Sequence, residues 1–301
     1  MVYSFQGENV SNDHQAELVR LGTLVGQTAQ ELFRNVAELR RRDLVQQRGV
    51  WRAVLPHAIA NRLAATALQN IPIAAIESQL VEGSPERLLR SFSRRLSYLH
   101  TTKEAVVIVE KWLASDGLLG DVANLNDLGE AMFDNVAPVA PTAALAALER
   151  TLLGPERHEA QPKCARYVTQ LRGLAYDKTL FGRCIRLLLQ LAEAEDEADK
   201  QANATDAFVS LFFLYLSGTH ATIEQRLAVI NELLLSVDSR RRSLGLKALQ
   251  AALEAWHFSS FHSFEFGARS RDHGYHPHTD DEVKHWFMSI LTLTQKLSCS
   301  D

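Results

Sequence analysis

Apolar residues recur along this chain every three or four positions, in segments of roughly 11–20 residues, which is the period of amphipathic helices rather than strands. Leu32, Val36 and Leu39 share one face at i, i+4 and i+7, behind a Thr28/Glu31 pair spaced as a capping box. Ser84-Pro85-Glu86 reads as a helix start: a serine able to cap, then a proline whose missing N–H costs nothing in the first turn. Thr102, Asn126, Asp177, Thr205, Thr222 and Asp238 are placed to cap later helices, and Gly154 and Gly218 to end them. The pattern predicts helices over 103–114, 126–135, 142–153, 164–176, 178–198, 205–217, 222–236, 239–255 and 281–297. Connections are short, so an antiparallel array of helix pairs is expected, a bundle or a superhelical solenoid. "SVDSRRRSLGLKALQAALEA" (236–255) has the form of a HEAT-type repeat, a short Asp/Arg turn followed by a Leu/Ala-rich helix, although no fixed period runs through the chain.

One stretch breaks the helical pattern. In "RDLVQQRGVWRAVLPHAIANRLA" (42–64), residues 50–55 alternate Val50/Arg52/Val54 with Trp51/Ala53/Leu55, a period of two. Gln47-Arg48-Gly49 supplies a tight turn before it, and Pro56 ends the strand and opens the next helix. With helices near 14–25 and 29–41 ahead of it, the order is helix, helix, β-hairpin, helix, the plan of a winged-helix domain. The expected fold class is therefore mainly α. A winged-helix-like domain over 1–100 is followed by an α-helical, HEAT- or solenoid-like sensor arm over 101–301. Pro/Ala-rich 137–144 reads as a rigid elbow, and acidic 192–206 as the most solvated segment.

Charge adds a direction. The net charge is −4, but residues 1–100 hold 12 Lys/Arg against 9 Asp/Glu and the remainder 20 against 27, so a polyanion would meet the N-terminal third. Three cysteines, none in a C-x-x-C pair, exclude a disulfide framework or zinc ribbon, and Cys164 and Cys184 read as core residues. No basic-then-apolar leader is present and the longest apolar run, around Phe208–Leu216, is too short for a bilayer, so a cytoplasmic protein with no membrane contact is expected.

Recognisable catalytic signatures are missing: there is no phosphate loop, no G-x-G-x-x-G, no G-x-S-x-G and no H-E-x-x-H. The chain is therefore read as a non-enzyme. Arg41, Arg42, Arg48 and Arg52 surround the hairpin with Asp43 the only nearby acid, a pattern suited to a DNA backbone; arginine stems covering apolar surface give the same composition. Six of the eleven histidines fall between His257 and His285. His273, His276, His278 and Asp280 could ligate zinc, yet Gly274 and Pro277 deny them a helical frame, so no metal is expected. "FGARSRDHGYHPHTDDE" (266–282) is read instead as an ordered elbow. Arg269 or Arg271 is expected to pair with Asp272 or to bond the carbonyls ending helix 239–255. Tyr275 and Trp286 add apolar mass, and Asp280, Asp281 and Glu282 favour the start of the last helix. Arg269, Arg271, Asp272, His273 and Tyr275 are thus the residues for pinning or partner contact.

"RRRDLVQQRGVWRAVLPHAIANRLA", followed by "SFSRRLSYLH", "WLASDGLLGD" and "GEAMFDNVAPVAP", resembles the region after the ATPase core of large bacterial STAND-type NTPases. These are relatives of apoptotic and plant-immunity nucleotide switches, and several act in antiphage defence. "GARSRDHGYHP" is similar to a loop of the same proteins. The resemblance implies the order P-loop ATPase, winged helix, helical sensor arm, and so a regulatory, signal-transducing chain that recognises a protein partner. It implies that His57, at the start of the helix after the wing, contacts the phosphate of ADP; Pro56 and Ala58 depart from the Met-His-Asp pattern of the class. No phosphate loop lies in the chain, so it is expected to be a fragment or split subunit. No cofactor is expected, with ADP or ATP contacted only together with an NTPase domain in cis or in trans. The alternative is a stand-alone winged-helix DNA-binding regulator with a helical interaction domain; a third reading, an enzyme centred on 266–286, has only the histidines behind it.

Overall fold

A two-residue β-hairpin turn needs a left-handed residue, and Gly49, at φ 56°, provides it between β2 (Val45–Arg48) and β3 (Trp51–Val54). The computed structural model describes residues 1–11, 13–195 and 204–298, the side chain of Ser298 excepted. Cys299 and most of the acidic 192–206 stretch, namely 196–203, lie outside the described residues. The protein is mainly helical with one small antiparallel sheet. Two compact units emerge, Met1–Ala147 with Gly267–Arg269, and Leu148–Phe266 with Ser270–Asp301. The boundary expected after residue 100 falls inside the first unit, where α5 (Glu86–Leu96) packs on α7 (Asp127–Val136) through buried Phe92, Leu96, Met132 and Phe133.

In the first unit the sheet has the order β1-β3-β2, with β1 (Phe5–Gln6) paired antiparallel to β3 so that Phe5 faces Arg52. β1 was not legible in the sequence: two residues carry no alternation, and its pairing is decided by β3. Phe5, Leu18, Ala29, Val36 and Val45 form a buried cluster under the sheet, contributed by β1, α1 (Glu17–Thr23), α2 (Ala29–Arg41) and β2. Both halves of the Thr28/Glu31 capping box are made at the start of α2. α3 (His57–Asn70) follows the hairpin, then α4 (Ile73–Leu80), α5, α6 (Lys103–Leu113), α7 and α8 (Pro141–Leu152), the last running past residue 147.

The second unit contains α9 (Arg157–Cys164), α10 (Val168–Leu174), α11 (Phe181–Ala194), α12 (Ala204–Ser210), α13 (Ile223–Leu234), α14 (Ser239–Leu253) and α15 (Asp280–Ser298). α11 packs on α10 and α12, and α13 on α14 and α15, around buried Leu187, Leu188, Phe208, Phe212, Leu233, Ala248 and Trp286. Cys164 and Cys184 are buried here, and burial pushes the Cys184 thiol above its ordinary value. The helix expected over 205–217 stops at Ser210. The backbone beyond it is taken by two buried arginines: Arg226 donates to Phe213 O (2.7 Å) and Arg172 to Ser217 O (3.2 Å), replacing bonds a continued helix would have made internally. Helix 164–176 is likewise divided, α10 being preceded by a single 3₁₀ turn and by α9, which tolerates Pro162.

Candidate functional site

Tyr3 is fixed before any ligand chemistry is considered. Its N–H donates to Ser91 O (3.0 Å), Ser4 N–H donates to Ser91 Oγ (2.8 Å), and Ser91 Oγ donates back to Ser4 O (2.5 Å), sewing the N-terminal segment onto α5. The Tyr3 ring then stacks on His57 at 5.2 Å, and the Arg94 guanidinium lies over it at 4.0 Å. Beneath, Arg95 is buried, bonded to Asn61 and Val2 O, and burial lowers its pKa.

Around this ring opens a cleft of about 410 Å³ whose lining includes Tyr3, Gln46, Arg48, Trp51, His57 and Arg94. His57 is the first residue of α3 and is exposed. The unpaired N–H groups of a helix start already favour an anion there, and a cationic Arg48 and Arg94 across the cleft add to that field. The Arg48 guanidinium has no partner among the described residues, and Arg94 has no carboxylate partner among them. Arg52 lines the same cleft, but its head is spent: it is 5% exposed, ion-pairs with Glu8 at 3.0 Å and donates to Gly49 O at 2.7 Å. Arg41 and Arg42 stand elsewhere, both ion-paired with Glu38, at 3.4 and 2.8 Å. The structure thus unites His57 with Arg48 and separates both from Arg41 and Arg42. Tyr3 and Arg94 are additions that the sequence reading missed. Arg94 had a signal, since Arg87, Arg90 and Arg94 share a face of α5 at i, i+3 and i+7; Tyr3 had none, because β1 positions it.

Arg269, Arg271, Asp272, His273 and Tyr275 of the 266–282 loop are all held, the two arginines by partners other than those expected. Within the first unit Arg269 donates to Pro138 O and to Val139 O, the latter at 3.3 Å, just past the end of α7. Within the second, Arg271 donates to Gly173 O (2.6 Å) in the last turn of α10, its guanidinium between the rings of Tyr176 (4.4 Å) and Phe266 (4.1 Å). The carbonyls bonded in this way are those of the elbow between α7 and α8 and of the last turn of α10, not those ending α14; α14 instead has Ala252 O bonded by Trp286 Nε1 at 2.9 Å. Gly274, at φ 90°, lets the loop run along 217–220, with Gly218 N donating to His273 O and Tyr275 N to Thr219 O. The His273 ring meets Phe264 edge-on at 4.8 Å, and Tyr275 stacks on Trp286 at 6.1 Å. Among the described residues no three His, Cys, Asp or Glu side chains converge as a metal site; His276 and His278 contact each other while His273 turns to Phe264.

Asp272 closes the loop. Its Oδ1 accepts from Gly274 N (2.8 Å), His220 Nε2 (2.9 Å) and Tyr176 OH (3.2 Å). Partial burial alone would raise its pKa, but these hydrogen bonds prevail and hold the carboxyl below its ordinary value. A depressed carboxylate stabilises the fold above its unfolded pKa of about 3.9 and ceases to do so as pH falls through the folded value. Asp272→Asn is therefore expected to melt below the wild type at pH 7, with the gap closing below about pH 4; melting temperatures at pH 3–7 test this.

The chain matches no family model, no curated protein and no solved structure. No described helix is long and apolar enough to cross a membrane.

Proposed function

We propose that this chain is the non-catalytic regulatory and sensor portion of a STAND-type NTPase, a winged-helix unit joined to a degenerate HEAT-like helical arm that recognises a protein partner in the cytoplasm. The observation that carries this reading is His57: it begins the helix after the wing and faces a cleft it shares with Arg48, Arg94 and Tyr3. An imidazole, two guanidinium groups and a helix start together suit the phosphates of a nucleotide held by an ATPase domain in cis or in trans. The hairpin β2-β3 follows two helices, and β1, which precedes them, pairs with β3; this arrangement supports the winged-helix reading. For the arm, Trp256, Phe258 and Phe261 stand exposed, at 79%, 64% and fully, on the stretch between α14 and the loop. Clustered exposed aromatics of this kind favour a protein partner. The DNA-binding alternative has less support, because Arg41 and Arg42 are engaged by Glu38.

The test uses the chain joined to the P-loop ATPase the reading requires, supplied as its in-frame or neighbouring gene product. The chain alone should release no phosphate from ATP. In the assembled protein His57→Ala should speed ADP release about tenfold, the loss of one charge-assisted hydrogen bond. ATP turnover by the chain alone, or an ADP off-rate indifferent to His57, overturns the reading.

A further inference from the structure

A second recess lies beside the wing cleft and belongs to α5 and α7 rather than to the wing. It has a volume of about 500 Å³ and is lined by Tyr3, Arg87, Arg90, Ser91 and Arg94 on one side and by Asp134 and Asn135 on the other. Three arginines project into it from one helical face, against one lining carboxylate; with Arg87 ion-paired to Glu17, an excess of one positive charge remains.

The three are not equivalent. Arg87 is committed: its Nε donates to Glu17 Oε1 at 2.6 Å, a second bond runs to Glu17, and its guanidinium covers Trp51 at 4.4 Å. Ser91 Oγ is equally spent, on Ser4. Arg90 and Arg94 are exposed, the Arg90 guanidinium has no partner among the described residues, and Arg94 rests on the Tyr3 ring without a carboxylate. Asn135 donates its amide to Ser93 Oγ at 3.0 Å. Two adjacent planar guanidinium forks one turn apart, one held flat by an aromatic ring, suit bidentate contact with a tetrahedral phosphate better than with a diffuse charge. The recess also has the volume of a small-ligand site rather than of a groove for a duplex.

We propose that this recess binds a small phosphorylated ligand through Arg90 and Arg94, with Tyr3 holding Arg94 in place. The site is complete within this chain and does not depend on the nucleotide-switch reading, nor does it use His57.

Isothermal titration of the full chain with sodium pyrophosphate and, in a separate arm, ADP tests it at low and at moderate salt. Saturable binding of pyrophosphate is expected. The Arg90→Gln/Arg94→Gln double variant should lose at least tenfold in affinity while keeping its melting temperature, since both side chains are exposed. Arg34→Gln, an exposed arginine on α2, should bind as the wild type does. Tighter binding of ADP than of pyrophosphate would identify the phosphate as part of a nucleotide, whereas equal binding would identify the bare phosphate group; either outcome supports the site. Four results overturn it: no saturable binding by the wild type, an equal loss in Arg34→Gln, a loss in His57→Ala as large as in the double variant, or displacement of pyrophosphate by duplex DNA at equal phosphate concentration. The third result would move the ligand into the wing cleft and leave the reading of His57 standing, so the two proposals fail separately.

Discussion

Arg226→Ala is expected to cost the second unit about 3–4 kcal/mol, the largest loss of any single substitution considered. Arg226 has 0% of its surface exposed and no acid partner among the described residues. Its head donates to Phe213 O (2.7 Å), Ser217 Oγ (3.2 Å) and Thr219 O (3.3 Å), and lies over the ring of Trp286 at 4.9 Å. Burial pushes the guanidinium down to about 9, so at neutral pH it is still charged and the fold bears the desolvation penalty. Alanine removes that penalty but leaves a cavity beside Trp286 and strands the main-chain carbonyl of Phe213, a loss of about 1–3 kcal/mol for a buried group without a donor, whereas Thr219 O keeps the Tyr275 N–H. The losses prevail because Phe213 O belongs to a segment, 211–219, that has no helix to satisfy it. Arg226→Leu restores most of the volume and separates the two causes: it should lose roughly 1–2 kcal/mol less than alanine. Denaturant unfolding followed by circular dichroism measures both, and a leucine variant as damaged as alanine would assign the whole effect to the lost hydrogen bonds.

Glu17→Ala is expected to cost the first unit about 2–3 kcal/mol and to loosen the N-terminal strand. Glu17 is 6% exposed at the start of α1, accepts from Gln6 N (2.6 Å) and Arg87 Nε (2.6 Å), and so ties β1 to α5. Without it the β1 amide loses its acceptor and Arg87 loses its carboxylate, keeping a bond to Ser4 O at 3.1 Å. Arg87 is about one-third exposed and recovers part of the loss from water, which keeps the estimate below that of a fully buried pair. Glu17→Gln keeps a carbonyl for Gln6 N–H but not the charge for Arg87, and should fall between the two. Because β1 carries Tyr3 into both recesses, hydrogen exchange at Tyr3 and Ser4 should rise in Glu17→Ala; unchanged exchange there would contradict the role given to this carboxylate.

Much of the secondary structure was legible. Periodicity and capping gave α2 to the residue, the β-hairpin at Gly49, and the starts of α13 and α14 at Thr222 and Asp238, because each rests on side chain–backbone bonds made within four residues. The expected helix over 205–217 ran too long because apolar periodicity continued through "LFFLYL", while the bonds that unwind it come from Arg172 and Arg226, distant in sequence. Arg269 or Arg271 was expected to pair with Asp272 or to bond the carbonyls ending α14; instead they reach the elbow after α7 and the last turn of α10, which is a matter of packing.

The sequence by itself determined a mainly helical protein, the hairpin between α2 and α3, the position of His57 at a helix start, and the concentration of positive charge in the N-terminal third. These follow from local periodicity, turn chemistry and composition, which act within a few residues. Only the tertiary structure decided that Arg48 lines one cleft with His57 while Arg41 and Arg42 turn to Glu38, that Tyr3 joins Arg94 to the wing, and that Asp272 meets His220 across 52 residues. Those pairings depend on which surfaces the buried clusters bring together, and no local signal carries that information.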